Sequence, residues 1–359
     1  NLFFKKLNMK KKSLSVKKII HKNLVNNLKK PKIKLVYSEF KKPLNSKKLA
    51  VAVSGGADSL ALAYLAKCYS ILNKVKIKFY HLDHKLRHNS GEEAKLLKYK
   101  LKKFDINCKI LVWKGKKPNS NIQSIARENR YKLIIKESIK DRINTILVAH
   151  HIEDLYESFL LRLLRGSGLK GLASFSALNT KAKHNLNINI LRPLIGQSKN
   201  DLLYIVKNTF NFYLKDPSNE NKYFKRIRIR QLINNLKKEG LNEKKLKMTI
   251  KNLSDSNITI DHYVKENMRL NSNLSISNNK IKCMIRNEFF EQPNEVTFRS
   301  FGEILKKISG KYYSPRGKSI SNVLNRIKSK KLNKMTLSGC IIEKLNNSWI
   351  IYAEKSKKN

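Results

Sequence analysis

Cysteine is sparse: four residues in 359 (Cys68, Cys108, Cys283 and Cys340), far apart and with no Cys-x-x-Cys pair. That argues against a zinc or iron–sulfur site and for a reducing compartment. Acid is scarce too, with 26 Asp and Glu against 77 Lys and Arg, for a formal net charge of +51. No apolar run approaches the roughly 20 residues that a membrane-spanning helix needs. There is no long-period repeat. Residues 1–46 hold a single acid, Glu39, and no arginine; a transit peptide usually carries Arg, so a basic N-terminal arm is expected. The chain opens on Asn1 and its first methionine is Met9, which suggests an unusual start codon or a sequence that begins short of the true start.

The charge favours a polyanionic partner, nucleic acid first. The surplus is mostly Lys, however, accompanied by much Asn and Ile, as A+T-rich coding DNA would produce. Charge alone therefore does not establish RNA binding. The length allows two or three domains, and a hydrophobic fraction of 41% is compatible with a folded core.

Chemistry begins at Val51-Ala52-Val53-Ser54-Gly55-Gly56-Ala57-Asp58-Ser59-Leu60. A short apolar run ends in Ser-Gly-Gly, and a helical pattern follows with Leu60, Leu62, Ala63 and Leu65 on one side. This reads as buried strand, tight turn and helix. Paired glycines let the backbone approach a ligand, and the first turn of the helix offers N–H groups and a positive dipole end to an anion. A polyphosphate fits, with hydroxyls from Ser54 and Ser59 and with Asp58 able to hold Mg²⁺. No Gly-Lys-Ser/Thr follows, so this is not a Walker A loop, and no third glycine makes it a dinucleotide fingerprint.

Further candidates sit where strands are expected to end. Strand Val75–Leu82 runs into Asp83 and His84; ligands bind beyond the carboxyl ends of strands in open parallel sheets, although Asp and His also serve turns. Ser90 and Glu93 read as a capping box for a helix to about Phe104. After a strand at Cys108–Trp113, a helix from Ile122 to about Ile139 places Arg127, Arg130 and Tyr131 at i, i+3 and i+4. Strand Asn144–Ala149 ends in His150-His151-Ile152-Glu153-Asp154-Leu155-Tyr156-Glu157, two histidines and three carboxylates beside a helix start. The acids suit a cationic substrate or Mg²⁺ better than zinc. The Gly166–Leu172 stretch reads as helix end and loop. Strand Asn187–Leu191 leads to Arg192-Pro193, and Ser198 caps a helix over Lys199–Thr209. Arg226, Arg228 and Arg230 form a cationic patch on either a strand or a helix. Residues 231–270 look helical, 271–280 an Asn/Ser-rich break, and 281–359 a small α/β appendage with strands at Leu337–Ile342 and Trp349–Tyr352.

Together these segments resemble the tRNA(Ile)-lysidine synthase family of PP-loop ATP pyrophosphatases over about residues 48–235, with a weaker match beyond. The resemblance rests on seven words in family order: Ser54–Ser59, His81–His84, Ala126-Arg127 to Arg130-Tyr131, Ala149–Glu157, Arg165–Gly168, Arg192-Pro193-Leu194 and Asp216-Pro217-Ser218-Asn219. Three departures stand out. Glu153 replaces the usual Asp, Leu155 the usual Gln, and Ile227 interrupts an Arg-Asn-x-x-Arg word.

The resemblance implies an α/β fold with a doubly wound, mostly parallel sheet of the PP-loop (adenine nucleotide α hydrolase-like) type, a helical segment and a small C-terminal α/β appendage. The expected divisions are a basic arm (1–46), a catalytic domain (47–235), a helical tRNA-binding segment (236–275) and a C-terminal domain (276–359). It also implies ATP-dependent joining of free L-lysine to the wobble cytidine of a CAU-anticodon tRNA(Ile), with ATP and Mg²⁺ required. ATP would meet Ser54, Gly55, Gly56, Ala57, Asp58, Ser59, Asp83 and His84, with Mg²⁺ on Asp58. Lysine would sit on Asp154 and Glu157, which join Asp58, Arg127 and His150 as the catalytic set. Arg130, Arg192, Arg226, Arg228 and Arg230 would hold tRNA. No membrane partner is implied, and a homodimer stays open. The setting would be the cytoplasm, or an organelle matrix or stroma if the gene lies in an A+T-rich organelle genome. Alternatives are another PP-loop tRNA-modifying enzyme such as a base thiolase, or a basic RNA-binding protein with a degenerate nucleotide site.

Overall fold

A computed structural model describes residues 2–86, 89–115, 122–173, 179–182, 185–214, 225–277, 280–311 and 314–354. The chain divides into two compact units, Asn1–Ile250 and Lys251–Asn359. The boundary at Ile250 differs from the divisions expected at 235 and 275. It falls inside one long helix, α10 (Glu243–Asn271), whose continuous Lys-rich pattern gives no sign of a break.

Unit 1 is built on β1 (Lys48–Ala52), β2 (Lys76–Asp83), β3 (Cys108–Val112), β4 (Thr145–Leu147), β5 (Asn179–Ala182) and β6 (Asn185–Leu191). Their order is β3-β2-β1-β4-β6-β5, parallel throughout except for the β5–β6 pair. This is the expected doubly wound sheet, with one antiparallel edge strand added by β5. Alternation along β1 supplies both faces. Leu49, Val51 and Val53 enter one core with Phe79, Leu147 and Leu191. Ala50 enters the other with Tyr80, Leu82, Ile146 and Ile190. Over the first core lie α3 (Ala57–Asn73), α4 (Ser90–Lys102) and α8 (Lys199–Thr209). Over the second lies α5 (Ile122–Lys140), through Ile134 and Ile135.

The N-terminal region is more than an arm. Helices α1 (Leu2–Asn27) and α2 (Pro31–Lys41) bring Leu24, Ile33, Val36 and Phe40 into the first core. Pro31 opens α2, where a missing N–H costs nothing. Because these helices cover its outer side, α3 is buried nearly all round, from Ala57 to Cys68, instead of on one face only. The Tyr64 hydroxyl donates to the Leu24 carbonyl at 2.9 Å. Asp105 accepts from Lys67 (2.7 Å) and contacts His21 (2.8 Å). Burial raises its pKa, but these partners outweigh burial and hold it at about 2.

Other local differences have identifiable causes. Helix α4 has Asn89, not Ser90, at its N-cap position, so the Ser90–Glu93 capping box is not formed. The Ser198 cap is present, with Asp201 returning the bond. The stretch expected as a loop to Leu172 closes from Leu169 into a short helix, α7 (Leu169–Ala173). The arginine-rich word resolves as a helix, α9 (Lys225–Lys238), packed against α6 (Ile152–Leu163).

Unit 2 is an antiparallel sheet, β7 (Ser272–Ser277), β8 (Lys280–Arg286), β11 (Ser348–Ala353), β10 (Cys340–Leu345) and β9 (Lys334–Leu337) in spatial order. Helices α11 (Glu288–Glu291), α12 (Asn294–Ser309) and α13 (Gly317–Lys328) contribute to its core, with Phe289, Phe301 and Trp349 at its centre. The Asn/Ser-rich stretch expected as a break is edge strand β7; its alternating Leu274 and Ile276 suit a pleated surface. The single strand expected over Leu337–Ile342 is a hairpin. Ser338 (φ 58°) and Gly339 (φ 79°) both take the left-handed region, as a tight two-residue turn requires.

Phe40 is fully buried and meets the Tyr69 ring edge-on at 6.3 Å. Phe40→Ala should destabilise unit 1 by about 3–5 kcal/mol, read from urea unfolding. A loss below about 1 kcal/mol, the size of an ordinary surface change, would mean that α2 is not part of the core.

Candidate active site

The strand order reverses between β1 and β4, and that switch point brings together the ends of three strands. β1 runs into the Ser54 loop, β2 into Asp83 and His84, and β4 into His150 and His151. At such a point the loops part and leave a crevice for ligands.

The Ser54 loop is stitched by Ser59. Its Oγ accepts from the N–H groups of Ser54 and Gly55, both at 3.1 Å, and donates to the Gly56 carbonyl at 2.9 Å. Gly55 has φ 94°, which a residue with a side chain rarely adopts. Its carbonyl accepts from Leu214 N–H at 2.9 Å, so residue 214 closes over the turn. Gly56 starts α3 with no side-chain cap. The positive end of a buried helix thus begins at a residue with no side chain to cap it, with Asp58 in its first turn.

His151 is the hub of the crevice. It is 4% exposed; its Nδ1 lies 2.8 Å from Glu153, and its Nε2 lies 3.5 Å from both Asp58 and Asp154. Burial alone would lower its pKa. The three carboxylates overturn that and raise it to about 10. Asp154 also accepts the backbone N–H of His151 at 3.1 Å. Glu153 reaches further, to the Lys199 N–H at 3.1 Å at the start of α8. These contacts outweigh burial and lower its pKa. The longer Glu153 side chain thus has a structural use, tying α6 to α8. Leu155, in place of the usual Gln, is buried.

Two more histidines meet arginines. His84 Nε2 lies 3.4 Å from Arg130 Nε, and Arg192 Nε donates to His150 Nδ1 at 3.2 Å. Burial, then the nearby guanidinium, lowers His84 to a pKa of about 4. His81, in the same word as Asp83 and His84, bonds through Nδ1 to the Val53 carbonyl at 2.9 Å, bracing the approach to the loop. Asp83 is buried, and one of its oxygens accepts the Lys85 N–H at 2.9 Å.

Several placements differ from expectation. Glu157 is 2% exposed and its Oε1 accepts from Arg230 Nε at 2.5 Å. The expected lysine-binding carboxylate and an expected tRNA-binding arginine are therefore paired with each other across α6 and α9. Arg192 is 8% exposed, too deeply buried to lie on an RNA-facing surface. Arg228 is exposed on α9. The side chains of Arg127 and Arg226, and the Asp216–Asn219 word, lie outside the described residues. His151 was the main miss, since adjacent histidines in a sequence give no sign of which one points inward.

Six buried side-chain atoms among the described residues lack a hydrogen-bond partner, and three belong here: Asp58 Oδ1, His84 Nδ1 and Glu157 Oε2. Buried polar groups are normally paired, so this clustering marks a place built to meet something else. Among the described residues no group of three or more His, Cys, Asp or Glu side chains is arranged to hold a metal ion. Magnesium needs less: one carboxylate with substrate phosphates and water suffices, and the unpartnered Asp58 Oδ1 fits that use.

A PP-loop domain family matches residues 29–237. A tRNA(Ile)-lysidine synthase from Wolbachia pipientis wMel is 31% identical over 313 residues, covering 86% of this chain and 71% of the relative. The chain belongs to the tRNA(Ile)-lysidine synthase family. The Rickettsia typhi lysidine synthase is likewise 31% identical, over 337 residues, covering 90% of this chain and 75% of the relative. Among solved structures, a tRNA thiolase from Methanococcus maripaludis with its [4Fe-4S] cluster superposes with a TM-score of 0.51 at 18% identity, covering 63% of this chain and 77% of that one. That likeness shows the shared fold alone.

A charged His151 favours the folded state fully at pH values below the usual histidine pKa, and this contribution is lost as pH rises through about 10. His151→Gln should cost about 3 kcal/mol at pH 6, the scale for breaking a buried ionic cluster, and the gap should close toward pH 10. Unfolding midpoints across that range measure it; a gap constant with pH would contradict the charge assignment.

Proposed function

We propose that this protein is a tRNA(Ile)-lysidine synthase that uses ATP to join free L-lysine to C2 of the wobble cytidine in a CAU-anticodon tRNA(Ile). The observation that carries this reading is the start of α3 at Gly56 with no side-chain cap, together with unpartnered carboxylate oxygens on Asp58 and Glu157, in a chain of this family. A triphosphate suits the first and a cationic amine suits the second. The cytidine C2 oxygen attacks the α-phosphate of ATP and pyrophosphate leaves. The lysine ε-amine, after losing a proton, then attacks C2 and AMP departs.

The chain's own residues divide this work. The Ser54 loop and the first turn of α3 receive the phosphates, and Ser59 keeps the loop in shape. Asp58 would hold Mg²⁺, which would neutralise phosphate charge. Asp83 and His84, at the end of the neighbouring strand, border the nucleoside side of the crevice. Asp154 and the second oxygen of Glu157 take the lysine ammonium groups, while Arg230 fixes the first oxygen of Glu157. Arg127 and Arg130 serve the phosphate and the adenylated base. Arg228 and the Lys-rich helices supply the salt-sensitive grip on tRNA.

With purified protein, sustained AMP and pyrophosphate release should require both L-lysine and unmodified CAU-anticodon tRNA(Ile), with lysidine detected by nucleoside mass analysis. Turnover that is equal without lysine, or no turnover at all, would sink the reading. Asp58→Ala should abolish adenylation, a loss on the order of 10³-fold for removing a key electrostatic group. Its tRNA dissociation constant should stay nearly unchanged.

A further inference from the structure

Arg192 sits on an unusually fixed mount. It is the first residue beyond β6, which runs parallel to β4 with Leu191 beside Leu147. The Val148 N–H donates to the Leu191 carbonyl at 3.0 Å, so the pairing continues past the strand end toward His150. Pro193 restricts Arg192 to extended backbone, and the Arg192 carbonyl accepts from Ile195 N–H at 3.1 Å. A buried guanidinium is thus delivered edge-on to His150, with Nε donating to Nδ1 at 3.2 Å.

A guanidinium has donors only. The Nδ1 of His150 must therefore carry the lone pair, and the ring proton must sit on Nε2. The neighbouring residue shows the opposite case. His151 meets carboxylates at both ring nitrogens, at Nδ1 from Glu153 and at Nε2 from Asp58 and Asp154, the surroundings of a doubly protonated ring. Two adjacent imidazoles at the end of one strand are set in different states purely by the partners that two other segments bring to them.

We propose that Arg192 is a positioning residue, not an RNA contact: it locks His150 as the Nε2–H tautomer, so that His150 serves adenylation as a hydrogen-bond donor to an anionic nucleotide oxygen. In that state Nε2 cannot accept the proton that the lysine amine must lose, so the base for that step lies elsewhere. The assignment of the oxygen rests on the proposed function; the tautomer does not.

The test starts with the intact protein labelled with ¹⁵N-histidine, whose ring shifts report which nitrogen is protonated. His150 should read as proton on Nε2, identified by its absence in His150→Gln. Arg192→Met should give mixed tautomers and lower kcat on the order of 10²-fold, the scale for disturbing one preorganised donor, with KM for ATP and lysine and the tRNA dissociation constant little changed. In a His150→Gln background, where the amide donor has no tautomer to lose, adding Arg192→Met should change kcat less than about twofold; a purely structural role would instead be additive. A wild-type His150 protonated on Nδ1 overturns the proposal, whether or not the arginine variant folds. So does an Arg192→Met protein with unchanged ring shifts and a salt dependence of tRNA binding shallower by about one, as expected for loss of a phosphate contact. Absence of lysine- and tRNA-dependent AMP release in the wild type would count against the proposed function instead, leaving the tautomer readout intact.

Discussion

A protonated imidazole held among three carboxylates keeps the carboxyl edge of this sheet in one piece. His151 contacts Asp58 from α3 and Glu153 and Asp154 from α6, and Glu153 in turn takes the first N–H of α8. Three helices with separate places in the sequence are thereby tied to the end of β4. Desolvation opposes the charge on His151, and no single carboxylate at 3.5 Å would offset it. Together with the close contact to Glu153 they do, and the ring stays charged far above its usual range. The same cation partly neutralises a crevice that would otherwise crowd three acids beside a site proposed for polyphosphate.

That arrangement depends on how deeply α3 is seated. Its small residues, Ala57, Ala61, Ala63 and Ala66, are buried, as are Leu60, Leu62, Leu65 and Tyr64, so it packs between the sheet and the N-terminal helices. Apolar burial on this scale, near 25 cal/mol per Å², fixes the helix axis and with it the position of Asp58 and the uncapped first turn. The Lys-rich surface contributes little to this. Its ion pairs are mostly exposed, and pairs of that kind are worth less than about 1 kcal/mol.

Around the hub, arginine partners set what the other histidines offer. Arg130 meets His84 at the end of β2, and Arg192 meets His150 at the end of β4, on the two sides of the Ser54 loop. The buried Glu157 and the half-exposed Arg230 complete the set with an ion pair between α6 and α9. A chain with a net charge of +51 has turned Arg192 inward, where a fixed fork of donors orients His150. Lysine, a flexible point charge, could not do that as well.

The sequence by itself determined the loop, the strand-to-helix alternation and therefore the doubly wound sheet, because apolar periodicity and paired glycines are local signals. It also placed the Ser54 loop, Asp83-His84 and His150-His151 at strand ends, since carboxyl ends of parallel strands follow from that alternation. What it could not decide is which groups face one another. Arg230 and Arg192 read as members of a cationic surface, yet α9 packing on α6 carries one to Glu157 and the β4–β6 register carries the other to His150. Residues 1–46 read as an arm because their composition is so basic, while the thin apolar stripe of Leu24, Ile33, Val36 and Phe40 matters only once α3 is there to receive it. Strand β7 was lost in an Asn/Ser-rich composition that only pairing with β8 makes regular. Composition and period are properties of a segment, whereas burial, pairing and the protonation of a histidine are properties of its neighbours, and those exist only in the folded chain.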